Sequence, residues 1–262
     1  MAGLPAMLAR HRLISLVALA LLIALAWGWL LGGAGMGMAP MASLAPAGLA
    51  QDPMLAMMMP GDAPWTAAQF ALTLAMWWVM MVAMMLPSAA PVILLYARAA
   101  GTARPPTESF ALGYLLIWGF FSLLATLAQW RLALAALLSP MAMATSSRAL
   151  VAALLIAAGA YQISPWKDAC LRQCRNPAQF LSRYYRPGRT GALRMGMIHG
   201  GWCVGCCWLL MALLFAGGVM NLTWIAALTL LVALEKLLPW SRAVSVMAGL
   251  ACILWGWWIL AG

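Results

Sequence analysis

The hydrophobic positions fall into seven runs, at about 13–31, 67–97, 109–130, 148–165, 195–217, 221–238 and 242–260, and short connections between them hold most of the charge. Several runs exceed the roughly 18 residues that a helix needs to cross a bilayer. In lipid every backbone N–H and C=O must be paired within the structure, so a span is a helix or part of a closed barrel. Unbroken runs of Ala, Leu, Met and Trp predict helices. The expected fold class is all-α, a polytopic integral membrane helical bundle of about seven transmembrane helices in one domain covering 1–262. Arg131 interrupts the third run, which continues to Leu138, so 132–138 reads either as an interfacial extension or as more of the span.

Charge sets the expected orientation. Arg10 and Arg12 precede the first run and Arg98 and Arg104 follow the second. Lys167, Arg172, Arg175, Arg183, Arg186, Arg189 and Arg194 crowd segment 166–194, and Lys236 and Arg242 flank the sixth connection. Short loops rich in Lys and Arg stay on the cytoplasmic side, which predicts a cytoplasmic N-terminus, an external C-terminus, a basic cytoplasmic loop at 166–194 and an external loop at 32–64. Arg131 and Arg148 run against this bias. The composition, 66% hydrophobic and 8% charged, excludes a water-soluble core. A net charge of +10 would elsewhere suggest nucleic acid, but here the loops account for it and no nucleic-acid partner is expected. The run after Arg10-His11-Arg12 is too long for a signal-peptide core and reads as an uncleaved anchor.

The external loop holds Met36, Met38, Met41, Met54, Met57, Met58 and Met59 with Asp52 and Asp62, and no Lys or Arg. Thioether sulfur is a soft, uncharged ligand that suits Cu(I), and it survives an oxidising compartment where a thiol would not. The loop therefore reads as a site of external metal capture; the alternative is a Met-rich amphipathic patch on the bilayer surface. In the second run helical spacing puts Met76, Met80 and Met84 on one face, with Met81 and Met85 beside them. These are candidate metal ligands, or else plastic packing residues. Pro87 and Pro91 free carbonyls one turn earlier and permit a kink.

The fifth run opens with His199-Gly-Gly-Trp-Cys203-Val-Gly-Cys206-Cys207. His199, Cys203 and Cys206 stand at i, i+4 and i+7, one stripe of a helix, and Cys207 lies next to it. Cys170 and Cys174 form a C-x-x-x-C pair just before, on the same expected side of the membrane. In or beside a reducing compartment such cysteines point to metal binding or catalysis rather than disulfides. The competing reading makes them small packing residues in a tight helix contact formed by Gly196, Gly200, Gly201 and Gly205. His199, Cys203, Cys206 and Cys207 with Cys170 and Cys174 are thus expected to bind metal, His199, Cys203 and Cys206 converging on one point. The second and fifth runs are expected to touch, with Met76 or Met80 against Cys206 or Cys207 and Met84 against His199 or Cys203. Glu235, a carboxylate inside an apolar run, reads as an orienting partner of His199, a proton relay, or an interfacial partner of Lys236 or Arg242. Asn221 is the other polar residue in that run, and Cys252 reads as packing.

Three stretches, Trp78-Val-Met-Met-Val-Ala-Met-Met-Leu-Pro87-Ser88, Tyr161-Gln162 through Lys167, Cys170, Cys174, Arg175 and Pro177, and His199-Gly-x-x-Cys203-x-Gly-Cys206-Cys207-Trp208, resemble a bacterial family of predicted metal-binding integral membrane proteins. Met220-Asn221-Leu222 and Glu235-Lys236 extend the resemblance over roughly 70–240. It implies a multi-pass protein of the bacterial inner (plasma) membrane with a metal site at these positions, and names neither metal nor reaction. The Met loop and M-x-x-x-M helix are also similar to eukaryotic high-affinity copper importers, in ligand chemistry alone.

The leading expectation is a soft-metal protein for copper(I), with zinc as the other ion this ligand set suits, that captures or transfers the ion through Met and then Cys/His ligands. No Walker motif or phosphorylated-Asp signature argues for a pump. Its partners are the lipid bilayer and a periplasmic or cytoplasmic metal carrier or a larger membrane complex. Two alternatives stand beside it: an accessory or assembly subunit with a structural metal site, and a membrane enzyme of thiol redox chemistry through Cys203 and Cys206.

Overall fold

The computed structural model describes residues 3–35, 65–99, 106–139 and 143–262. Helices α1 (Gly3–Leu31), α2 (Ala67–Ala99) and α3 (Thr107–Leu134) are followed by a two-residue antiparallel pair, β1 (Leu138–Ser139) and β2 (Ala144–Thr145). Then come α4 (Arg148–Ile163), α5 (Pro165–Arg175), α6 (Pro177–Tyr184), α7 (Gly188–Ala212), α8 (Leu214–Gly217), α9 (Leu222–Leu237) and α10 (Ser241–Ala261). The architecture is all-helical apart from that short pair. The capture methionines Met36, Met38, Met41, Met54, Met57, Met58 and Met59 lie outside the described residues.

A helix occupies each of the seven apolar runs, but the helices differ in reach. Five stretches are long and apolar enough to cross a membrane: Leu13–Leu31, Ala67–Ala99, Thr107–Leu134, Gly188–Gly217 and Ser241–Ala261. A sixth is added if α4 and α5, which meet at 64°, are taken as one broken span. Helix α9, with 16 residues, is about 24 Å long, short of the roughly 30 Å of a hydrocarbon core. The third run continues as helix through Arg131, whose guanidinium lies 5.3 Å from the Trp130 ring, and ends at Leu134 before the turn into β1.

The basic segment 166–194 is not an open loop. Ser164 accepts a hydrogen bond from the Lys167 N–H at 3.3 Å and Pro165 sits in the first turn, a cap and a preset φ that start α5 directly after α4. Pro177 likewise sits in the first turn of α6, there without a side-chain cap, and α7 begins at Gly188, ahead of the apolar run. The consequence is that α5, with Cys170 and Cys174, turns back against α7 instead of leaving the bundle.

Glycines bring α3 and α7 into contact. A Cβ on Gly196 would stand 2.0 Å from the Phe110 carbonyl oxygen, and one on Gly113 2.1 Å from that of Leu193. Helices α4 and α10 meet likewise, a Cβ on Gly159 falling 2.5 Å from the Gly249 carbonyl. Such close backbone approach is how apolar helices associate where burial from water contributes little. Trp77 Nε1 donates to Gln129 Oε1 at 2.7 Å, which fixes α2 against α3 with a buried hydrogen bond.

Candidate metal centre

The sulfur atoms gather where α7, α5 and α2 meet. On α7 the Cys206 and Cys207 thiols donate to the Cys203 carbonyl at 3.1 and 2.9 Å, which turns both toward Cys203, and all three cysteines are buried. From α5, buried Cys174 neighbours the Cys203 and Cys206 thiols. From α2, the Met85 thioether is 3.8 Å from Cys207 Sγ. Cys170, only half-buried, lies beside Gly205, where a Cβ would stand 3.0 Å from its Sγ. The absent side chain of Gly205 is thus what admits Cys170 to this side of α7.

Two groups not expected at this site, Lys236 and Tyr114, meet Cys203, and Ser88 joins them. Lys236 of α9 donates from Nζ to Cys203 Sγ and to Ser88 Oγ, each at 3.0 Å. Tyr114 Oη lies 3.1 Å from Cys203 Sγ and donates to the Met85 carbonyl at 3.1 Å, and Ser88 Oγ donates to the same carbonyl at 2.8 Å. Lys236 is buried, and no carboxylate among the described residues is within ion-pair distance of it. A buried ammonium needs a counter-charge, and the sulfur of Cys203 is the group in place to supply one. A lysine inside an apolar run was the visible signal for this role.

Other expected residues lie elsewhere. His199 is buried, but its ring packs among Phe110, Tyr114 and Phe180, with centroids at 6.2, 5.8 and 5.1 Å, and its Nδ1 has no hydrogen-bond partner. Among the described residues no three His, Cys, Asp or Glu side chains are already gathered closely enough to hold a metal ion, so His199, Cys203 and Cys206 do not converge as expected. Met76, Met80 and Met84 are buried in the core, and Met85 beside them places its sulfur 3.8 Å from Cys207 Sγ. Helix α2, with 33 residues, is about 50 Å long, more than a bilayer core needs, so its first residue is a poor mark from which to count depth.

Glu235 orients neither His199 nor the sulfur cluster. Its carboxylate takes Lys167 Nζ at 2.7 and 2.8 Å, Gln162 Nε2 at 2.8 Å and Ser245 Oγ at 3.0 Å, and Lys167 also donates to Gln162 Oε1. Arg242, another expected partner, instead pairs with Asp168 at 2.5 Å. Asn221 caps α9, accepting from the Thr223 N–H at 3.1 Å.

Chemically, the donors available here are thiols and a thioether beside an ammonium, softer groups than oxygen-seeking cations prefer. No curated protein and no solved structure matches the chain. A copper chaperone family, PpoB2, matches residues 74–259, a stretch that takes in every sulfur of the cluster and leaves out the Met-rich segment 36–59. The match covers most of the chain, which therefore belongs to this copper chaperone family.

Proposed function

We propose that the protein is a bacterial inner-membrane, multi-pass protein that binds Cu(I) and captures or transfers it, the external Met residues meeting the ion first and the buried cysteines holding it. The observation that carries this reading is the meeting of Cys174, Cys203, Cys206 and Cys207 with Met85 under the Lys236 ammonium. Cu(I) is stable with two or three sulfur ligands, so a pair of these thiols suffices. Zn²⁺ in a structural site requires four ligands set tetrahedrally, a fuller set than Cu(I) needs. Thioether-to-thiolate order gives the ion a downhill direction without ATP. Membership of a copper chaperone family supports delivery of the ion to a partner, a metal carrier or a larger membrane complex, over a purely structural metal. Thiol redox chemistry is the weaker reading, since exchange between thiols has no use for Met85 at Cys207.

The test is copper content after anaerobic loading of the whole chain, purified in mild detergent, with a chromogenic Cu(I) competitor. Near-stoichiometric Cu(I) is expected in the unaltered protein and none in C203S/C206S, with helix content equal in both. Equal copper in that variant would move the site elsewhere.

A further inference from the structure

At the basic end of the bundle a cavity of about 350 Å³ is lined by Arg183, Arg186, Arg194, Tyr184, Met195 and Ile198 among others. The Arg183 guanidinium lies 5.6 Å from the Tyr184 ring, and no carboxylate among the described residues is within ion-pair distance of the three arginines. Planar guanidiniums without a carboxylate partner form a receptor for carboxylates or phosphates. One wall, however, is sulfur: Met195 is fully buried and accepts a hydrogen bond from the Arg186 backbone N–H at its Sδ, at 3.3 Å. A simple anion would gain nothing from a thioether there.

Met195 also begins a series. Met195, His199, Cys203 and Cys207 follow one another at four-residue intervals along α7, about 6 Å apart in rise and on one face. All four are buried, and the second has an unpaired Nδ1 with aromatic walls around it. Donor by donor, this stripe leads from the arginine cavity to the sulfur cluster.

We propose that the cavity is the docking site for an anionic low-molecular-weight thiol carrying Cu(I), and that Met195 is the first protein ligand of a relay through His199 to Cys203 and Cys207. The proposal rests on the Cu(I) reading above. The arginines hold the carboxylates of the carrier. The Cu–S bond to the carrier thiolate breaks as bonds to Met195 Sδ and then to a His199 ring nitrogen form. Copper remains Cu(I), no electron or proton moves in this step, and the released thiolate anion stays compensated by the arginines. The same steps in reverse deliver Cu(I) to an empty carrier.

The experiment follows the Cu(I)–thiolate absorption of the whole chain in zwitterionic nanodiscs during anaerobic loading. Cu(I) is presented either as its glutathione complex or as the cationic acetonitrile complex. In R183Q/R186Q/R194Q the rate from glutathione should fall by roughly tenfold or more, as expected for loss of electrostatic capture, with the acetonitrile rate and the final copper content unchanged. M195L should slow both donors and leave the content unchanged. If the triple variant does not fold, R186Q alone should show a smaller loss and R186K should restore the rate. An unchanged glutathione rate, or equal slowing with both donors, would overturn the proposal. Loss of the donor difference in phosphatidylglycerol nanodiscs would assign the cavity to a lipid headgroup and also overturn it. Absence of copper uptake from either donor by the unaltered chain would instead sink the Cu(I) reading itself.

Discussion

Lys236 and Cys203, on different helices and 33 positions apart, are joined by a 3.0 Å contact from Nζ to Sγ in the interior of the bundle. Among the described residues the ammonium's other hydrogen-bond partner is the Ser88 hydroxyl, so its charge bears chiefly on the cysteine sulfur. Replacing Lys236 by Gln keeps a donor and removes the charge. K236Q is expected to weaken Cu(I) binding by about tenfold, or ~1.4 kcal/mol, in a competition titration. An affinity equal to that of the unaltered chain would mean that Lys236 serves packing alone.

Met85 offers a separate measure of the thioether's part. Met85→Leu nearly conserves volume, so its stability cost should stay below about 1.5 kcal/mol. It deletes the sulfur 3.8 Å from Cys207. Cu(I) affinity should fall severalfold while the thermal midpoint moves little, and Cys252→Ser, remote from the cluster, should change neither. A loss of folding without a change in affinity would assign Met85 to the core.

Lys167 and Glu235 form a buried ion pair whose rupture leaves one charge uncompensated. K167M is expected to destabilise the protein by about 3–5 kcal/mol, and K167M/E235L to recover most of that, because two apolar groups need no pairing. Lys167 stands on α5 with Cys170 and Cys174, so K167M should also lower copper content. Unfolding in detergent combined with metal analysis checks both. A double variant as unstable as the single would show that the pair is not the main term.

Gly196 and Gly201 are five residues apart on α7 and should behave oppositely. A Cβ on Gly196 meets the Phe110 carbonyl at 2.0 Å, backbone that cannot step aside, whereas one on Gly201 has nothing within 4 Å. Gly196→Ala is expected to separate α3 from α7 and collapse the folded yield in size-exclusion chromatography. Gly201→Ala should elute unchanged or gain slightly from helix propensity.

What the sequence determined by itself was periodic or local. Long unbroken apolar runs pointed to helices rather than to the alternating pattern of a barrel strand, and the positions of those helices follow the runs. The spacing of Cys203, Cys206 and Cys207 placed three thiols on one side of α7, and the C-x-x-x-C pair marked Cys170 and Cys174 as their neighbours. Tertiary structure decided which groups complete the set. The 64° bend between α4 and α5, invisible in hydropathy, carries Cys174 to Cys203 and Lys167 to Glu235. Close glycine contacts between α3 and α7 bring Tyr114 to Cys203. Aromatic packing fixes where the His199 ring sits, among Phe110, Tyr114 and Phe180, which helical spacing does not show. The contact of Met85 with Cys207, and the pairing of Glu235 with Lys167 rather than His199, depend on axial offsets between helices, and one chain's own periodicity contains no measure of such an offset.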